Sequence, residues 1–224
     1  SSSHTVGPMR AAALFVQGLR ERDKLQRVRR IEVQLYGSLS ATGIGHGSDS
    51  AVIMGLMGEW PDAIDPALIG PRIAELQHSE TLLLDGYLPI PFVWAQDMRL
   101  IDENLPFHPN AMTLVAHTDT AELHRDTYYS VGGGFVVDAA QAASGVLDMD
   151  RTELPYDFSS AVELLELCRT HHLSVAALML ANERTWRSED EIRCGLIKLW
   201  RAMQDCVEQG LKHEGILPGG LNVR

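Results

Sequence analysis

Two short segments bring together side chains that could do chemistry. Ser1-Ser2-Ser3-His4-Thr5 runs directly into Pro8 and the apolar positions Met9, Ala12, Phe15, Val16 and Leu19, a spacing that predicts a helix starting near residue 7. Free backbone N–H groups at such a helix mouth, together with hydroxyls and an imidazole, suit an anion and above all a carboxylate. The alternative is that the hydroxyls cap the helix while His4 packs nearby. The second segment is Gly43-Ile44-Gly45-His46-Gly47-Ser48-Asp49. Its glycines predict a loop that leaves His46 uncrowded, and an imidazole presented in this way is a candidate general base. A solvated loop histidine is the alternative. The run Gly45-His-Gly47-Ser-Asp-Ser50 fails as a dinucleotide fingerprint, because Ser50 stands where the third glycine belongs.

Other residues carry weaker signals. Tyr128-Tyr-Ser-Val-Gly-Gly-Gly-Phe135 places three glycines in a strand-like run, which predicts a bulge or a close backbone or ligand approach. Phe107-His108-Pro109-Asn110 reads as a turn, with His108 a lesser candidate. Cys168, Cys194 and Cys206 raise the question of a metal or cluster, but they are widely spaced. Cys168 and Cys206 fall on apolar helical stripes, which predicts buried structural thiols. His171 and His172 are neighbours on a helix and do not face one site. No metal site is expected in this chain.

The elements that must hold these residues follow from periodicity. Ile31, Val33 and Leu35 alternate with Glu32, Gln34 and Tyr36 and predict a half-buried strand running into the glycine segment. A helix is predicted over 51–57, capped by Ser48 or Asp49, and a shorter one over 71–77. Runs at 81–84, 88–93, 112–118 and 128–137 read as strands. From Ser159 the apolar period becomes helical, predicting three closing helices. The result is an α/β (α+β) fold, a mixed β-sheet with packed helices. One domain is expected over 1–214, with 215–224 as the start of a linker.

Composition narrows the function. The 224 residues, 45% of them hydrophobic, can bury a core without disulfides. With 19 Lys and Arg against 30 Asp and Glu, a formal charge of -11 argues against nucleic acid as a partner. The basic run from Arg20 to Arg30 is interrupted by Glu21 and Asp23 and reads as solvated surface. No stretch approaches a membrane span, and three scattered cysteines suit a reducing, cytoplasmic setting. A start on Ser1 and the turn-rich end Leu217-Pro-Gly-Gly-Leu-Asn-Val-Arg224 are expected to mark part of a longer polypeptide.

The segments Ser1-Ser-Ser-His-Thr-Val-Gly-Pro-Met-Arg-Ala-Ala12, Tyr36-Gly-Ser-Leu-Ser-Ala-Thr-Gly-Ile-Gly-His-Gly-Ser-Asp-Ser-Ala-Val52 with Gly55-Leu-Met-Gly58, and Tyr128-Tyr-Ser-Val-Gly-Gly-Gly-Phe135, taken together and in order, resemble the iron-sulfur-dependent L-serine dehydratases. The whole chain resembles that family's N-terminal β domain, and Gly215-Ile-Leu-Pro-Gly-Gly-Leu221 resembles the link to its catalytic α domain. The resemblance implies α,β-elimination of L-serine to pyruvate and ammonia without pyridoxal phosphate. It also implies a [4Fe-4S] cluster whose cysteine ligands lie in the α domain, so that this segment binds no cluster and is inactive alone. The implied partners are L-serine, the α domain and a second copy in a homodimer. His46 resembles the base that takes the α-proton, with His4 a second catalytic candidate. Ser2, Ser3, Thr5, Ser48 and Asp49 resemble substrate-binding positions, although the family often has Thr where Ser48 stands. The domain is also similar to the allosteric substrate-binding domain of some phosphoglycerate dehydrogenases. That likeness implies a mixed α/β fold suited to a small anion. The rival to a catalytic role is a regulatory module that binds serine or another small anion without catalysing.

Overall fold

A computed structural model describes residues 2–144, 152–212, 214–216 and 223. Apart from residues 215, 216 and 223, the expected linker 215–224 lies outside the described residues, as does Ser1. The described chain divides between residues 144 and 152 into two compact units.

The first unit opens with a π-helical turn, Ser2–Val6, continuous with α1 (Gly7–Glu21), whose Pro8 sits in the first turn as predicted. Next come β1 (Arg30–Tyr36), α2 (Gly37–His46), α3 (Ser48–Leu56) and α4 (Ile69–Ser79). A small hairpin of β2 (Thr81–Leu84) and β3 (Leu88–Pro91) leads to α5 (Trp94–Asp97). The main sheet is completed by β4 (Met98–Ile101), β5 (Asn110–His117), β6 (Glu122–Gly132) and β7 (Phe135–Asp138), after which α6 (Ala139–Ser144) follows. Its order is β4-β1-β5-β6-β7, with β4 parallel to β1 and the other neighbours antiparallel. The fold is mixed α/β, as the periodicity predicts.

Burial explains the arrangement. Ile31, Val33 and Leu35 of β1 are buried while Arg30, Glu32, Gln34 and Tyr36 are not, the alternation expected of a strand with one covered face. Those residues join Phe15 and Leu19 of α1, Val52, Ile53 and Leu56 of α3, and Met112 and Leu114 of β5 in one apolar core. Helices α1 and α3 meet closely because α3 carries Gly55, where a Cβ would lie 2.2 Å from the carbonyl oxygen of Met9. The parallel strand β4 is tied to β1 by buried Asp97, which accepts from Arg30 Nε at 2.6 Å and from the Val93 N–H at 2.7 Å.

Three expectations are corrected. Residues 37–46, which include the glycine segment up to His46, are helical, so His46 ends a helix and does not ride on a loop. Neither Ser48 nor Asp49 caps α3, since the cap position is Gly47 and makes no side-chain bond. The run 128–137 is two strands, with Gly132, Gly133 and Gly134 turning between β6 and β7 at φ of 104°, 60° and 80°. The predicted bulge is present, a register shift between Ser130 and Gly132.

The second unit is helical: α7 (Ala161–Thr170), α8 (Val175–Glu183) and α9 (Glu189–Lys212). Serine starts each helix. Ser160 Oγ accepts from the Glu163 N–H, Ser174 Oγ from Ala177 and Ser188 Oγ from Glu191. Glu163 and Glu191 reach back to the N–H groups of Ser159 and Ser188, an arrangement of the capping-box type. Buried Asn182 brackets Tyr156, accepting its N–H at 2.9 Å and donating to its carbonyl at 2.8 Å. The thiols depart from expectation, with Cys168 only partly buried and Cys194 and Cys206 exposed.

Candidate functional site

The two histidines meet. Their ring centroids are 5.1 Å apart at 60°, and local structure on both sides explains why. The chain leaves β1 and turns at once into α2 through Gly37, at φ +51°; a Cβ there would lie 2.3 Å from Asn104 Oδ1 and 2.4 Å from the Pro109 carbonyl oxygen. Only glycine combines that backbone with that space. The Ser38 N–H then donates to Pro109 O at 3.0 Å, which fixes Ser38 in the first turn of α2. Its Oγ lies 2.9 Å from His4 Nε2, while Ser3 Oγ lies 2.9 Å from His4 Nδ1. Both ring nitrogens of His4 therefore engage hydroxyls, which holds the ring in place.

Two further bonds cross between the segments in opposite directions. Thr5 Oγ1 donates to the His46 carbonyl at 3.0 Å, and Ser48 Oγ donates to the His4 carbonyl at 2.5 Å. They link the π-helical turn to the junction where α2 ends and Gly47, at φ +70°, releases α3. His46 is exposed and His4 half-buried. The alternative reading, in which the hydroxyls cap α1, fails, because the cap position is Val6 and makes no side-chain bond.

Burial, and next the nearby His46, holds the His4 imidazole below the usual histidine range, so His4 is neutral at physiological pH. Burial raises the Asp49 carboxyl, although its Oδ1 accepts the Ser50 N–H at 2.7 Å. Asp49 stands in the first turn of α3. Ser2 is exposed beside this site.

Sequence reasoning missed three neighbours. Ser38 lies 34 positions from His4, and only the immediate Gly-Ser after a strand hinted at it. Ser130 of β6 is fully buried against Gly7, where an added Cβ would lie 1.9 Å from Ser130 Oγ, so Ser130 underlies the start of α1. Buried Asn110 donates from Nδ2 to the Ser130 carbonyl at 3.2 Å. His108 Nδ1 accepts the Asn110 N–H at 3.1 Å, which assigns that imidazole to its own turn.

Other features lie apart. A cavity of about 320 Å³, lined in part by Val16, Arg20, Trp60 and Asp85, belongs to the far end of α1. Among the described residues, no three His, Cys, Asp or Glu side chains converge on a point where a metal could sit. The three cysteines thus do not form a cluster cradle with one another. No described helix is long and apolar enough to cross a membrane.

Fold and site define the class: a mixed α/β domain that holds a pair of imidazoles between its first turn and the α2–α3 junction. The family model for the serine dehydratase beta chain matches residues 1–141, and the chain belongs to that family. It is 49% identical over its full length to an L-serine dehydratase of Streptomyces coelicolor, 42% to one of Mycobacterium tuberculosis and 40% to L-serine dehydratase 2 of Escherichia coli. The matched region is 50%, 48% and 49% of those proteins, so the chain spans about half the length of the relatives it matches.

Proposed function

We propose that this chain is the β portion of an L-serine dehydratase and contributes acid-base and substrate-positioning groups to the elimination of L-serine. The observation that carries the reading is the meeting of His4 and His46, two imidazoles 42 positions apart held by reciprocal bonds from Thr5 and Ser48. Membership of the serine dehydratase family supplies the substrate.

In this reading His46, exposed and able to reach a bound molecule, accepts the α-proton of serine. The electron pair of the broken C–H bond forms the Cα–Cβ double bond as hydroxide leaves Cβ. The resulting aminoacrylate tautomerises to an imine, which water hydrolyses to pyruvate and ammonia. His4, neutral and bonded at both nitrogens, orients and does not take the proton. The hydroxyls of Ser2 and Ser3 and the half-buried Asp49 line the approach, where the substrate carboxylate and ammonium would sit. Hydroxide is a poor leaving group and needs a Lewis acid or a proton. The [4Fe-4S] cluster implied by the resemblance has no ligand set among the described residues of this chain. In this reading it belongs to the other half of the enzyme, and the chain alone is inactive in solution.

The test uses this chain joined to the half of its relatives that it does not span, assayed anaerobically for pyruvate. His46→Ala should lower kcat by about 10²–10⁴ fold, the usual contribution of a positioned base. Unchanged turnover would remove the base assignment, and serine binding without any effect of His4 or His46 on turnover would favour a regulatory module.

A further inference from the structure

The two imidazoles are in contact, and a substrate gripped by both needs them apart. With centroids 5.1 Å apart at 60°, the rings of His4 and His46 meet edge to face. A molecule held between them has to keep about 3.5 Å from the atoms of each, a gap that this contact does not leave. One ring has to move, and the surroundings decide which. The His4 ring is engaged at both nitrogens, by Ser3 and by Ser38, and the Ser38 N–H is fixed by the Pro109 carbonyl. His46 is exposed at the end of α2, between Gly45 and Gly47.

Helix α2 is weak at that end. It holds Gly37, Gly43 and Gly45 within 10 residues, and glycine is the poorest helix former after proline. The Thr42 hydroxyl donates back to the Ser38 carbonyl at 2.9 Å, a bond that loosens and bends helices. Close packing accounts for Gly37 and for Gly43, where a Cβ would lie 3.1 Å from the Ser48 Cβ. It does not account for Gly47, where a Cβ would meet nothing within 4 Å, so that glycine supplies backbone freedom at φ +70°. The chain is held again just beyond, where buried Ser48 donates to the His4 carbonyl. Between these fixed points the Thr5 hydroxyl donates to the His46 carbonyl at 3.0 Å and ties down the last turn of α2.

We infer that Thr5 is a latch. Its hydroxyl holds the His46 carbonyl while the rings touch, and it turns to the carboxylate of an arriving substrate, which frees residues 43–47 to carry His46 off the His4 ring. The inference rests on the reading that serine binds at these two imidazoles. Thr5 belongs to the same hydroxyl-bearing turn as Ser2 and Ser3, where that reading puts the carboxylate. A charged carboxylate oxygen accepts more strongly than an amide carbonyl, so the change of partner is favourable. The carboxylate bonds to Thr5 only in the open form, and that difference is what shifts the chain from one form to the other. Access to the base thereby becomes conditional on a carboxylate, and an amino alcohol leaves the latch shut.

Hydrogen exchange over residues 43–47 tests this in the chain joined to the half of its relatives that it does not span. L-alanine is the probe, with the carboxylate and ammonium of serine but no hydroxyl to lose. At high concentration it should speed exchange there about fivefold or more, while ethanolamine changes it by less than about twofold. Thr5→Val should exchange about fivefold faster than the parent without any added molecule and respond to L-alanine by less than about twofold. Thr5→Ser, which keeps the hydroxyl, should restore the parental pattern. Unchanged protection in the core of β1 and β5 reports that the first unit is folded in each variant. Slower or unchanged exchange with L-alanine, or parental protection of residues 43–47 in Thr5→Val, would overturn the latch. The readout needs no turnover, so a working latch in an enzyme indifferent to His46→Ala would remove the base and leave the latch standing.

Discussion

The two units of this chain handle their apolar residues in opposite ways. In the first, apolar side chains from α1, α3, β1 and β5 bury one another, and Phe15, Leu35 and Ile53 are fully enclosed. In the second, well-capped helices turn leucine, methionine and tryptophan outward. Local helix signals are satisfied in the second unit, whereas enclosure is achieved in the first. Good caps and a strong helical period therefore specify helices without specifying what covers them.

The contrast is sharpened most by one substitution made in both units. Leu35→Ala, in a fully buried strand position, should cost roughly 2–5 kcal/mol, whereas Leu199→Ala, exposed on α9, should stay within about 0.5 kcal/mol in the isolated chain. Urea denaturation measures both, and similar costs would break the distinction between a closed and an open unit. A smaller effect is expected from Gly7→Ala, which forces a methyl against Ser130 Oγ and should cost about 1–3 kcal/mol while displacing the turn that carries His4. Nuclear magnetic resonance of the His4 ring would register that displacement, and an unmoved signal would show that the start of α1 yields elsewhere. Smaller again, Ser48→Ala removes the bond to the His4 carbonyl and should cost about 0.5–1.5 kcal/mol. Combined with Thr5→Val in a double-mutant cycle, it should show coupling, because both bonds join the same two segments.

Much of this was legible in the sequence where the signal is local. The alternation of residues 31–36, the Pro8 start of α1 and the late change to a helical period each report burial on one face, and the structure follows them. Residues 37–46 misled because Gly43 and Gly45 imply a loop, yet packing against β1 and β5 holds the segment helical. Strand β4 was invisible, because its four residues pair with β1 positions 65 residues earlier, which no local period records. At the site, His4 and His46 were found by residue type. Ser38, Asn110 and Ser130 were missed because their roles come from segments brought together across 20 to 123 positions, which no spacing rule records.

The smallest effects are those of pH, and they have opposite signs at two neighbouring groups. Burial lowers His4, so the folded chain favours its neutral form. The stability this group contributes is fully present above the unfolded value of about 6.5 and declines as pH falls from there toward the depressed folded value. His4→Gln, which cannot titrate, should flatten the stability profile on the acid side of neutrality. Burial raises Asp49, so the folded chain favours its protonated form. Its contribution is present below the unfolded value of about 3.9 and is lost as pH rises through the raised folded value. Asp49→Asn should therefore gain stability relative to the parent chain as pH rises through that value toward 7. Thermal melts of both variants from pH 4 to 8 separate the two trends. A parallel shift of the Asp49→Asn curve across the whole range would mean that the carboxylate is solvated in the folded chain, and the site would then lose its one acidic group held back from ionising.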